Sequence, residues 1–216
     1  MSEELFGYLR LISSFGVLLP LCLALWKRRR LTSIQRKLLY LLIAICIVEA
    51  IANALWYRKE NNLPVYHFYS IVECLLILNL YKEALKKLFS KHVFMSAGVI
   101  FTVFAIVNML CFQALTTFNS NVTTTLGFLV IFLCLCYFYA LLQEEIYSPL
   151  EKKPMFWINA GFLIYFSSNL ILFFINNSMF TKPDAVSYLV WGLHAVVNII
   201  LMLFFTIAVW VNPIRR

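Results

Sequence analysis

Residues 38–57 read LLYLLIAICIVEAIANALWY, twenty positions that carry one charge, Glu49, and one amide, Asn53. A helix of that length rises about 30 Å, which matches the hydrocarbon core of a bilayer. Glu49, Asn53 and Trp56 follow at i, i+4 and i+7, so they share one face of the helix. The remaining faces are apolar. This stretch is therefore expected to cross a membrane with a single polar stripe turned away from lipid.

Working outward, six further stretches have the same character: 5–26, 65–81, 93–113, 122–142, 155–175 and 188–210. Of all Asp, Glu, Lys and Arg side chains, only Arg10, Glu49 and Glu73 fall inside a span. The chain has 216 residues, 62% of them hydrophobic and 13% charged, which excludes a soluble domain with a polar shell. Backbone groups in lipid must be satisfied within helices or closed barrels. The expected fold is all-α, a single seven-helix transmembrane domain over 1–216. About 60 residues are left for loops, too few for a second domain.

Basic residues follow the spans. Segment 27–37 carries Lys27, Arg28, Arg29, Arg30, Arg36 and Lys37; Lys82, Lys86, Lys87, Lys91, Lys152, Lys153, Arg215 and Arg216 fall on the same side. The opposite side has Arg58, Lys59 and Lys182. The positive-inside rule places the N-terminus outside and the C-terminus in the cytoplasm, and explains the net charge of +8 without nucleic acid. Glu3 and Glu4 precede the first span and Lys27–Arg30 follow it, the reverse of a cleaved signal. The six cysteines all lie within spans and read as small packing residues. Pro64 and Pro154 open the third and sixth spans, Pro213 closes the seventh, and Pro20 is expected to kink the first. Tyr8, Trp26, Trp56, Tyr57, Tyr66, Tyr81, Trp157, Tyr188 and Trp210 read as interfacial belts.

Polar residues inside the spans gather toward the outer ends. Tyr66, Tyr69, Ser70 and Glu73 form a stripe on the third helix, with His67 beside it. Tyr165, Ser168 and Asn169 line up on the sixth, and Trp191, His194 and Asn198 on the seventh. Arg10, Ser13 and Ser14 add a patch on the first. Glu49 and Glu73 lie roughly 12 Å below the outer surface, and charge at that depth points to function. The bland reading of Asn53, Ser70, Asn169 and Asn198 is interhelical hydrogen bonding. The expected ligand-binding set is Glu49, Asn53, Tyr69, Glu73, Asn169, Trp191, His194 and Asn198, around an outward polar pocket above an apolar inner half.

Several chemistries are tested by what the spans contain. A retinal Schiff base needs a lysine in the membrane, and every lysine here lies in a loop or at a span edge. Zinc held by His67, Glu73 and His194 is the metal alternative, giving a metal-assisted intramembrane hydrolase. Some seven-helix membrane hydrolases carry HxxxH late in the chain; here Asn198 stands at the second ligand position, after His194. No nucleophile elbow is present, so no catalytic residue is assigned; whether the chain is an enzyme stays open, with the reading leaning against it because no covalent or metal motif is intact. A small-solute or proton-coupled transporter is the other alternative, although no internal repeat is found.

LPVYHFYSIVE at 63–73, FWINAGFLIY at 156–165 and HAVVN at 194–198 together resemble small bacterial seven-helix proteins similar to the membrane sensing halves of histidine kinases. The resemblance implies a sensor in the bacterial inner membrane that passes its state to a separate cytoplasmic kinase or regulator. The basic residues Arg28, Arg29, Arg30, Lys86 and Lys87 would face that partner or the anionic lipid headgroups of the bilayer.

Overall fold

The computed structural model describes residues 1–144, 149–179 and 185–211, with the backbone alone for residues 175, 177–179 and 185. Lys182, Pro213, Arg215 and Arg216 lie outside the described residues. Among the described residues eight α-helices follow in order: α1 (Glu3–Phe15), α2 (Leu18–Trp26), α3 (Ser33–Tyr57), α4 (Leu63–Ala84), α5 (Lys91–Cys111), α6 (Ser120–Leu142), α7 (Pro154–Met179) and α8 (Ala185–Trp210). A short 3₁₀ turn, Leu150–Lys152, precedes α7, and no strand occurs among the described residues. Taken together α1 and α2 form one span, Glu3–Trp26, so among the described residues seven spans are long and apolar enough to cross a membrane. The protein is an all-α, multi-pass membrane bundle.

The break in the first span has a local cause. Pro20 lacks an amide hydrogen, and its ring crowds the carbonyl four residues back, at Gly16. Helical bonding accordingly stops at Gly16 and Val17, and the Gly16 carbonyl takes the Leu19 amide at 3.4 Å. The other helices overrun the apolar windows because their caps lie outside them. At α3 the Thr32 hydroxyl accepts from the Gln35 amide and the Gln35 side chain accepts from the Thr32 amide, a capping box that starts the helix five residues before Leu38. Conversely α5 stops at Cys111, two residues short of the expected 113. There Gln113 folds back so that its Oε1 accepts from Asn108 and from the Asn121 amide.

Lipid-facing and inward faces separate as the periodicity requires. On α3, Ile47 and Ile51 are exposed while Glu49 and Asn53, about 200° around from them, turn inward. On α4, Phe68, Val72 and Leu75 are exposed. Ile100 on α5 is 68% exposed in mid-span, which only an apolar surrounding makes tolerable. In the bundle α7 packs between α6 and α8, α3 against α4, and α8 returns to α1 and α2; α5 sits outside, on α4 and α6.

The half of the bundle bearing loops 27–32 and 85–90 is solid. Ala24, Leu38, Leu42, Phe205, Ala208 and Val209 are fully buried there. Tyr81 is fully buried with them, so it is a core residue and not part of the interfacial belt. Its hydroxyl donates to Asn159 Oδ1 at 2.6 Å and lies 3.1 Å from Cys134 Sγ, while Asn159 Nδ2 donates to the Cys134 carbonyl at 3.3 Å. This knot joins α4, α6 and α7, and gives Cys134 a polar partner beyond mere packing. The end of α8 is tied to the α2–α3 connection. Gln35 Nε2 donates to the carbonyls of Ala208, Val209 and Val211, and Lys27 Nζ to those of Val209 and Trp210. These groups satisfy the orphan carbonyls of a helix C-terminus. Partial burial, then neighbouring Arg30, hold the Lys27 ammonium below its usual pKa.

Gly161 sets the distance between α7 and α8. A Cβ there would lie 2.9 Å from Phe204 Cβ, an atom fixed to the backbone that cannot swing aside. Gly7 has open space instead. Gly161→Ala is therefore expected to lower the unfolding temperature in detergent by several degrees and Gly7→Ala to leave it unchanged; equal effects would refute this account of the packing.

Candidate ligand-binding cavity

Toward the other end the same helices diverge around a cavity of about 890 Å³. It is walled by α1, α3, α4, α6, α7, α8 and the loop 116–119, with no α5 residue among the described lining. The floor is apolar: Leu41, Ile45, Leu126, Phe162, Met202 and Phe205. The walls above it are polar and aromatic. Glu49 lies eight residues from the end of α3 and Glu73 ten from the start of α4, about 12 and 15 Å deep along the helix axes.

Glu49 is held by α1. The Ser14 hydroxyl donates to Glu49 Oε2 at 2.5 Å and itself accepts from Asn53 Nδ2 at 2.6 Å. The Tyr66 hydroxyl reaches Glu49 Oε1 at 3.5 Å. The adjacent Ser13 turns about 100° away, and its hydroxyl accepts from Asn198 Nδ2 on α8 at 2.8 Å. Two consecutive serines thus bind α1 to α3 and to α8. Arg10 makes no ion pair among the described residues: its guanidinium lies 3.8 Å from the centre of the Trp56 ring. A structural Arg10–carboxylate pair therefore does not account for either glutamate.

Glu73 has a different surrounding. It faces the hydroxyl of Tyr69, one turn earlier on α4, and no cation lies within 4 Å among the described residues. Across the cavity His194 is packed among Tyr165, Phe173 and Trp191, with ring centres 5.7, 5.8 and 5.2 Å away. Asn169 Nδ2 donates to the Tyr165 carbonyl at 2.8 Å, which leaves Oδ1 to face His194 Nδ1 at 2.9 Å. That network places a hydrogen on Nδ1, and Nε2 has no hydrogen-bond partner among the described residues.

The loop between α5 and α6 covers the mouth. Phe118 packs on Phe173 and Trp191 at 6.0 and 5.7 Å, bridging α7 and α8. Asn119 Nδ2 donates to Ser70 Oγ at 2.7 Å, and the Thr117 carbonyl lies 2.9 Å from His67 Nε2. Asn119 is 1% exposed, and its Oδ1 has no hydrogen-bond partner among the described residues.

Of the residues expected to bind a ligand, Glu49, Asn53, Tyr69, Glu73, Trp191, His194 and Asn198 line this one cavity. Asn169 stands behind it and orients His194. Ser168 is exposed on the far face of α7, so it does not continue the stripe of Tyr165 and Asn169. His67 is buried against the loop and not in the lining, apart from Glu73 and His194. No group of three His, Cys, Asp or Glu side chains with metal-binding geometry occurs among the described residues. Phe118 and Asn119 escaped sequence reading because a loop residue carries no periodicity to say what it packs on. Arg28, Arg29, Arg30, Lys86 and Lys87 are all exposed at the opposite end, whereas Lys37 is engaged by Glu83 at 2.9 Å.

Comparison with protein-family models, with curated proteins and with solved structures finds no match for this chain.

The Ser14–Glu49 bond predicts a measurable coupling. In a double-mutant cycle of Ser14→Ala and Glu49→Ala, unfolding is expected to give about 1–2 kcal/mol of interaction energy. Ser13 paired with Glu49 is expected to give none, since it bonds to α8. Additive Ser14 and Glu49 effects would break this assignment.

Proposed function

We propose that the protein is a membrane sensor whose cavity binds a small ligand from outside the cell and whose basic end reports occupancy to a separate cytoplasmic protein. The observation that carries this reading is the contrast between the two ends of one bundle. A roomy cavity with under-satisfied polar groups lies at one end, and fully packed side chains fill the other. A pocket of this size, largely apolar with a few convergent polar groups, is typical of small-molecule sites. Leu38, Leu42, Ala208 and Val209 fill the space below the floor; a carrier would have to open that packed half in a second conformation, which sensing does not require.

The path of the signal follows α8. Trp191, His194 and Asn198 line the cavity, and the same helix ends in carbonyls held by Gln35 and Lys27. From Asn198 to Val211 the helix spans about 20 Å. A ligand that prefers one position of α8 biases those caps in proportion to its differential affinity, and with them the exposed Arg28–Arg30 segment. The α1 helix, joined to α2 only through Gly16 and Val17, is the element best placed to move with it. The cytoplasmic location of the basic end, the kinase or regulator as partner and a bacterial inner membrane all belong to this proposal.

Two experiments test it. Reporter fusions in loop 85–90 are expected to be cytoplasmic and those in 58–62 external, and the reverse result would turn the cavity inward and end the proposal. In nanodiscs, Ala195→Leu places extra bulk in the cavity from α8 as a stand-in for ligand. It is expected to change amide exchange of 27–36 at least threefold while leaving α5 unaltered. Unchanged exchange at 27–36 in a folded variant, or solute flux into proteoliposomes that Glu49→Gln abolishes, would overturn sensing.

A further inference from the structure

We propose that the cavity selects an organic monocation, an amine or quaternary ammonium with an apolar body, and that Glu73 is its counter-ion. The proposal rests on the reading of the cavity as a ligand site and names the chemistry it takes.

The first argument is the inventory of unused hydrogen-bonding capacity. Glu49 receives the hydroxyls of Ser14 and Tyr66, and Ser13 and Asn198 satisfy one another. The Arg10 guanidinium keeps unused N–H donors beside Trp56, but three other groups of the site keep unused acceptor capacity. Glu73 has only Tyr69, His194 Nε2 has no partner among the described residues because Asn169 engages Nδ1, and Asn119 Oδ1 is buried without a donor. These are acceptors on α4, α8 and the mouth loop. A ligand that completes them brings N–H donors or positive charge; a carboxylate, phosphate or other anion brings more acceptors.

The second argument is charge. Among the described lining residues two carboxylates face one guanidinium, and that guanidinium is stacked on Trp56 on the Glu49 side. Glu73 has no cation within 4 Å among the described residues; ionising it there is costly, and an incoming cation offsets that cost. Arg10 stacks on Trp56 of α3, the helix that carries Glu49, and Glu49 receives two hydroxyls while Glu73 has one, so the two acidic groups are not equivalent. Glu73 is the one left for the ligand.

The third argument is the rings. Tyr69 and Tyr165 both lie within electrostatic reach of Glu73, and Phe173 and Trp191 extend the aromatic wall toward the mouth. Aromatic faces beside a carboxylate are the standard recognition of alkylated ammonium, because the ring quadrupole attracts a diffuse cation that holds its own shell of water weakly. Below Glu73 the floor of Leu41, Ile45, Leu126 and Phe205 has no polar group to offer, which suits a hydrocarbon body and not a sugar.

The test is a matched series of probes titrated by calorimetry into wild-type protein in nanodiscs: 2-phenylethylamine, its N,N,N-trimethyl derivative, 2-phenylethanol and 3-phenylpropanoate. Both cations are expected to bind at least tenfold more tightly than the alcohol, and the carboxylate more weakly than either. Glu73→Gln, nearly isosteric, is expected to abolish the preference for cations while keeping the alcohol's affinity within twofold. An alcohol that equals the cations, a carboxylate that exceeds them, binding by none of the four, or an undiminished preference in Glu73→Gln overturns the proposal. The wild-type series decides alone if the variant does not fold. Binding of the alcohol or carboxylate that still alters exchange at 27–36 would remove the cation and leave sensing intact.

Discussion

Hydrocarbon neither donates nor accepts hydrogen bonds, and the organisation of this bundle follows from that constraint. Many of the polar side chains that enter a span are turned inward and bonded to a group on another helix, and these bonds join the helices at the open end. The first helix shows this most clearly. Ser13 and Ser14 are ordinary residues, yet their divergence around the axis joins α1 to α8 on one side and to α3 on the other. Without α1 the carboxylate of Glu49 would lose its short hydroxyl partner. The break at Gly16 and Val17 is what lets this half-helix take that position independently of α2.

The same rule divides the molecule into two functional halves. Where polar groups satisfy one another completely, as in the Tyr81–Asn159–Cys134 knot, they lock three helices into one arrangement. A fully satisfied buried network specifies structure. Where satisfaction is incomplete, at Glu73, His194 and Asn119, polar groups are left beside the cavity, which is where the proposed ligand would complete them. Position along the bundle, more than residue type, distinguishes these roles: Asn159 and Asn119 are both almost fully buried amides, but only the second lies beside empty space.

Much of this pattern was legible in the chain before any coordinates. The period of 3.6 residues forces Glu49 and Asn53 to one face and Ile47 and Ile51 to the other, and lipid on one side selects which face is inward. The same logic brought Tyr66, Tyr69, Ser70 and Glu73 together. It failed where a residue's meaning depends on what stands opposite. Tyr81 at the end of an apolar run reads as an interfacial residue unless Asn159 is known to face it. Ser168 lies one step from Asn169 on a helical wheel, and a helix wide enough to show both to a neighbour does not say which is used. The cap joining Gln35 to α8 links residues more than 170 apart, and only the start of α3 was written locally, in Thr32 and Gln35. The loop residues Phe118 and Asn119 follow no period at all.

The length of α8 then connects the two halves. A helix is stiff along its axis because each residue is bonded to the one four before it, so displacement at His194 is not absorbed before Val211. Its far end packs Ala208 and Val209 into the apolar core, and its last four carbonyls, Ala208 to Val211, are held by Gln35 and Lys27, side chains that belong to the chain's most basic segment. Hydrogen bonds of that kind exchange partners at small cost, whereas the close approach of α7 and α8 at Gly161 does not slide freely. Motion of α8 is therefore confined to small shifts read at its cap. Under the proposed reading, such an arrangement would convert occupancy of the cavity into a change at an exposed, positively charged surface without opening a passage between the two.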